Sequence, residues 1–225
     1  MENLESEFVR RVLEWGAKHK RRFPWRESRD PFAVLVAEIM LQKTPAERVA
    51  KIFDEFLARY PTPEALASAP QEEVEAWFSY LGLKKRARLL HQIAKEIVRT
   101  FGGRVPRSLN QLTRLPGVGP YTAAAVLCFA FGERLPIVDT NVARVLMRVF
   151  RLKIKTKRPA LSKKLWAFAS KLIPNGQQRE YHEALLDLAA LICKPRPICE
   201  KCPLSDICRS FKAGSKSLKK QGLDS

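Results

Sequence analysis

No stretch of the sequence approaches the ~20 uncharged apolar residues that a membrane-spanning helix needs. Nor does it open on an apolar core followed by a small-residue cleavage site: the first residues, MENLESEFVRRVLEW, are charged throughout, so no secretory signal is read there. Period-two alternation long enough to build a sheet is missing, as is any repeat of fixed length. The three histidines, His19, His91 and His182, have no ligand-like spacing. Acid is also scarce, with 23 Asp and Glu against 41 Lys and Arg, a net charge of +18. Such an excess of cation, spread along the chain, favours a polyanionic partner, of which nucleic acid is the commonest. What remains is a soluble intracellular protein, expected in the cytoplasm of a prokaryote in association with its nucleoid. At 225 residues it makes one large domain or two small ones, and 46% hydrophobic residues exclude a mainly disordered basic chain.

Most of the chain repeats at a helical period. Between Phe32 and Tyr60 the apolar residues Val36, Ile39, Met40, Val49, Ile52, Phe53, Phe56 and Leu57 recur mostly at steps of three and four. The same holds for Leu89, Leu90, Ile93, Ile97 and Val98, and for Leu165, Trp166, Phe168, Ala169, Leu172 and Ile173. Tyr181 to Ile192 is apolar almost all round, which predicts a buried helix. Proline and glycine fall between the periodic stretches, at Pro61-Thr62-Pro63, Gly102-Gly103, Pro116-Gly117 and Pro174-Asn175-Gly176. The fold class expected is all-α, ten or so helices joined by short turns.

Four of the five cysteines, Cys193, Cys199, Cys202 and Cys208, sit within sixteen residues. With no mark of export a disulfide framework is not expected, and four thiolates in one loop suit a metal centre, either zinc or a four-iron cluster. Cys128, in the apolar run from Ala123 to Phe131, reads as core. Upstream, Leu115-Pro116-Gly117-Val118-Gly119 separates two helical stretches, and Pro120 opens the second. Glycines at 117 and 119 permit positive φ and leave backbone amides uncovered; the unpaired first N–H groups of the next helix add the positive end of its dipole. Such a hairpin can hold a phosphate without reading sequence.

The hairpin, an aspartate soon after it in Val138-Asp139-Thr140-Asn141-Val142, and the cysteine loop together resemble the helix-hairpin-helix DNA glycosylases of the endonuclease III superfamily, from Phe23 to Cys208. The resemblance implies two helical domains with DNA gripped in the cleft between them. One would be a helical barrel over 30–138 that holds the hairpin at 115–119. The other would join 1–29 to 139–211 and carry the loop 193–208, with a basic flexible tail at 212–225. It further implies a [4Fe-4S] cluster on Cys193, Cys199, Cys202 and Cys208, although the family's usual first gap is one residue longer than here. The partner implied is double-stranded DNA holding a mismatched or damaged base, which a monomer would flip out before cutting its N-glycosidic bond.

Residue choices narrow the chemistry. Family members that also cut the strand carry a lysine just after the hairpin; Tyr121 stands there and cannot form an imine. The chain is therefore similar to the monofunctional branch, with Asp139 stabilising the oxocarbenium-like sugar, Glu38 donating or relaying a proton to the leaving base, Tyr121 positioning the aspartate or packing on the sugar, and Asn141 orienting water or capping a helix. Gly117 and Gly119 would meet phosphate; Gln42 or Lys43 and Leu83 would fill the gap left by the flipped base; Lys194 and Arg196 would face the backbone. Lys84, Lys85, Arg86 and Arg88 form a further candidate phosphate set. Phe23-Pro24-Trp25-Arg26 is expected to pack. The favoured substrate is thymine or uracil mispaired with guanine. The alternative is adenine opposite guanine or 8-oxoguanine, disfavoured because only seventeen residues follow Cys208 and no further reading domain is expected. A module that binds DNA without hydrolysis is the non-enzymatic alternative.

Overall fold

The computed structural model describes residues 3–79 and 84–212, with the side chain of Lys84 also outside the description. Among these residues there is no strand, and twelve α-helices follow one another: α1 (Leu4–His19), α2 (Pro31–Leu41), α3 (Ala46–Ala50), α4 (Phe53–Arg59), α5 (Pro63–Ser68), α6 (Gln71–Ser79), α7 (Lys84–Phe101), α8 (Leu109–Leu112), α9 (Pro120–Phe131), α10 (Thr140–Phe150), α11 (Lys163–Lys171) and α12 (Gln178–Leu191). None is long and apolar enough to cross a membrane. The chain divides into two units, 1–21 with 134–225, and 22–133. These limits lie a few residues before 30 and 139. Phe23 stacks on Trp25 and Trp25 meets Phe53 edge-on, which draws the first residues after α1 into the middle unit. Val138, in turn, packs with Val142 in the core of the terminal unit.

The middle unit is built around α2. Asp30 accepts hydrogen bonds from the Phe32 and Ala33 amides and Pro31 fills the first helical position, so the helix starts sharply. Every residue from Phe32 to Met40 is buried, and α9 packs alongside. The apolar periodicity between Phe32 and Tyr60 is carried by three helices, α2, α3 and α4. Pro45 disfavours a helical Thr44, and Lys43 turns the chain with φ +58°.

The terminal unit packs α1 against α12, with α10 and α11 completing its core. At Gly16 a Cβ would stand 2.3 Å from that of Ala184, so only glycine lets the two backbones approach this closely. The burial expected of α12 holds, but its apolar character does not. Arg179, His182, Glu183 and Asp187 are buried in it. Glu183 is paired with Arg179 at 3.0 Å and Lys20 at 2.8 Å, and Asp187 with the Arg21 guanidinium at 2.6 Å. Pairing is what makes such burial tolerable.

Candidate active site and cysteine centre

In the terminal unit, Asp139 is the N-cap of α10. Its Oδ1 accepts from the Val142 amide at 2.6 Å, and its Oδ2 accepts from Asn141 Nδ2 at 2.8 Å. Each carboxylate oxygen thus spends one lone pair on the protein and keeps another for a ligand. Asn141 is itself held, because Arg144 Nη1 donates to its Oδ1 at 3.0 Å. Arg144 also donates through Nε to the Cys193 carbonyl at 2.7 Å and through Nη2 to the Ala189 carbonyl at 3.1 Å. A line of hydrogen bonds therefore runs from Asp139 through Asn141 and Arg144 to the first cysteine of the loop.

One turn along α10, Arg148 Nη1 donates to the Lys194 carbonyl at 2.6 Å and to Cys193 Sγ at 3.5 Å, while Nη2 reaches the Pro195 carbonyl at 2.9 Å. From α1, Arg11 donates to the Pro203 carbonyl at 3.0 Å and pairs with Asp206. Three arginines from two helices thus hold the cysteine loop by its backbone. Sequence reasoning missed all three. The only signal was the i, i+4 placement of Arg144 and Arg148 on the helix that Asp139 opens.

The four cysteines line one cavity of about 310 Å³, whose walls include Val145, Val149, Ile192 and Leu204. Burial, with the neighbouring thiols adding to it, pushes Cys202 up to about 11 and shifts Cys199 in the same direction. Bare, these thiols keep their protons; a metal centre must displace them. Among the described residues, no group of three or more His, Cys, Asp or Glu side chains is arranged to hold a single metal ion. Lys194 and Arg196, between the first two cysteines, are exposed.

In the middle unit, Glu38 lies on α2 and is 7% exposed, shielded by the apolar residues around it. Tyr121, second residue of α9, is half-buried. The hairpin forms as expected, but its glycines differ. Gly117 takes φ +69°, and a Cβ there would stand 2.5 Å from Leu89 Cδ2. Gly119 is the N-cap of α9 with φ −87°, so its glycine is not required by the backbone. A Cβ on it would meet nothing within 4 Å, which leaves the approach to the first α9 amides open. Gln42 reaches this hairpin, its Nε2 donating to the Gly117 carbonyl at 3.4 Å. Lys43 beside it is exposed and holds its left-handed conformation, while Arg86 braces the same turn by donating to Thr44 Oγ1 at 2.7 Å and to the Met40 carbonyl at 3.2 Å. Arg86 is thus committed to the protein, and Arg88 is paired with Glu75 at 2.7 Å, so two members of the candidate phosphate set have structural work. Leu83 lies outside the described residues.

The chain is similar to known proteins in sequence and in structure. A family model described as HhH-GPD superfamily base excision DNA repair protein matches residues 36–171. Thymine-DNA glycosylase of Aeropyrum pernix is 43% identical over 204 residues, which span 88% of this chain and 92% of that one. Human adenine DNA glycosylase is 37% identical over 209 residues, but the match spans only 38% of its length. Among solved structures, a thermostable thymine-DNA glycosylase superposes with a TM-score of 0.89 at 38% identity, covering 93% of this chain and 97% of its own.

Proposed function

Because this chain belongs to the HhH-GPD superfamily of base excision DNA repair proteins, we propose that it is a DNA N-glycosylase that removes thymine or uracil mispaired with guanine. The observation that carries the reading is the fixed carboxylate of Asp139, clamped by Val142 and Asn141 with a lone pair on each oxygen left over. Breaking an N-glycosidic bond builds positive charge on the sugar and negative charge on the base. Asp139 stabilises the first, and it helps water add to C1′ or adds there itself. Glu38 donates or relays a proton at the departing base. With Tyr121 where strand-cutting relatives carry lysine, the products are a free base and an abasic site. Similarity supports the choice of base: the thymine enzyme is matched over 92% of its length, the adenine enzyme over 38%.

DNA is held without sequence reading by the amides at Gly117 and Gly119, with Lys194 and Arg196 against the backbone and Gln42 or Lys43 filling the space of the flipped base. Cys193, Cys199, Cys202 and Cys208 hold a [4Fe-4S] cluster. Four thiols that line one cavity are the donor set such a cluster takes. The cluster supplies ligation energy that closes the loop.

The test is single-turnover excision on a duplex with one G·T or G·U pair, read as strand breaks after hot alkali. Asp139→Asn should slow it by about 10²-fold or more, while stability changes little because asparagine caps helices as well as aspartate. Unchanged turnover would overturn the assignment. A borohydride-trapped adduct with the wild type would overturn the monofunctional one.

A further inference from the structure

The segment joining α10 to α11, taken with the first two residues of α11, has a composition found nowhere else in the chain. Residues 151–164 hold seven cations, Arg151, Lys153, Lys155, Lys157, Arg158, Lys163 and Lys164, and no acid. All seven are exposed, and none pairs with a described acidic side chain. Four exposed arginines on other elements are neutralised, Arg10 by Glu7 and Glu14, Arg59 by Glu73, Arg99 by Glu96 and Arg107 by Glu133. Seven like charges without counter-charge repel one another, and an anion placed among them relieves that repulsion.

The backbone that presents them is anchored. Leu152, Ile154 and Ala160 pack against the core of the terminal unit, so Lys153 and Lys155 alternate outward. Trp166 Nε1 donates to the Ala160 carbonyl at 2.6 Å. Lys153, Lys155, Lys157, Arg158 and Lys164 line an open concavity of about 630 Å³ with Leu161. It lies beyond the C-terminal end of α10, whereas Asp139 opens the other end; eleven residues at 1.5 Å each place them about 16 Å apart along the axis.

We propose that this α10–α11 loop is a second, sequence-independent binding surface for the phosphodiester backbone of duplex DNA, separate from the site at Asp139. Point charges on long stems suit phosphate oxygens on a flexible path. One exposed leucine gives too little apolar face for a lipid surface. The phosphates could belong to the flank of the duplex under repair or to a second duplex. Undamaged DNA is the ligand in either case, so the surface is testable apart from the glycosylase reading.

The experiment compares the full chain with a fourfold variant, Lys153→Gln, Lys155→Gln, Lys157→Gln and Arg158→Gln. A control of equal charge change carries Lys18→Gln, Lys51→Gln, Lys95→Gln and Lys171→Gln. Affinity for undamaged duplexes of about one and about four helical turns is measured against salt. The loop variant should bind more weakly, and its slope of log K on log salt should flatten by ~0.9 for each phosphate it no longer neutralises, beyond any change in the control. Weakening on the long duplex alone identifies the flank. Failure to co-capture a second, differently labelled duplex identifies a second segment. Loop and control variants that behave alike in every arm would overturn the proposal. So would a loop variant impaired only in its binding to vesicles of anionic phospholipid.

Discussion

Two glycines two residues apart have different physical reasons to be glycine. Gly117 sits at φ +69° with Leu89 pressed against the space a Cβ would take, so Gly117→Ala should cost about 1–2 kcal/mol in denaturant unfolding. Gly119 has an ordinary φ and open space before it, so Gly119→Ala should cost less than Gly117→Ala, losing only the N-cap preference for glycine over alanine, while weakening binding to undamaged duplex. If Gly119→Ala bound undamaged duplex as tightly as the wild type, Gly119 would have no part in admitting a phosphate. The Gly-x-Gly pattern pointed to a phosphate-binding turn, yet it could not separate these roles. Backbone angle and neighbouring atoms are set by the packing of Leu89 from α7. The same holds for Asp139. Its position soon after the hairpin marked it out, but the clamp by Asn141 and Arg144 depends on where the cysteine loop lies.

Helices were legible where pattern and punctuation agreed, as with α9 between Gly119 and Gly132. They were less so where a proline broke a continuous periodicity, as Pro45 does between α2 and α3. The burial of α12 was legible but not its means: acids and bases alternate with leucine, and only the partners on the segment after α1 show how they are borne. His182 on this helix is nearly enclosed and its Nε2–H donates to the Leu135 carbonyl at 2.9 Å. Burial lowers it to about 4, below the ~6.5 of an unfolded chain. The unfolded state therefore binds the proton first, and stability present above pH ~6.5 is lost as pH falls toward 4. That loss should reach about 3 kcal/mol in urea titrations, and His182→Gln should flatten it. An identical pH profile in the variant would mean that other groups carry the acid sensitivity.

For the molecule as a whole, the cluster reading makes the plainest prediction. Protein purified without oxygen should be brown and contain iron and sulfide in equal amounts, and Cys202→Ser should lose both along with thermal stability. A colourless protein with one zinc would refute it. The sequence by itself determined the helical class, the hairpin, the four cysteines, the exclusion of a lysine at position 121 and the family, because these are properties of local order and spacing. Tertiary structure alone decided that three arginines brace the cysteine loop, that Arg86 and Arg88 are committed to other protein groups, and that the seven cations after α10 pair with no described acidic side chain. Each of these is a question of which distant residue supplies the counter-charge or acceptor, and separation along the chain carries no such information.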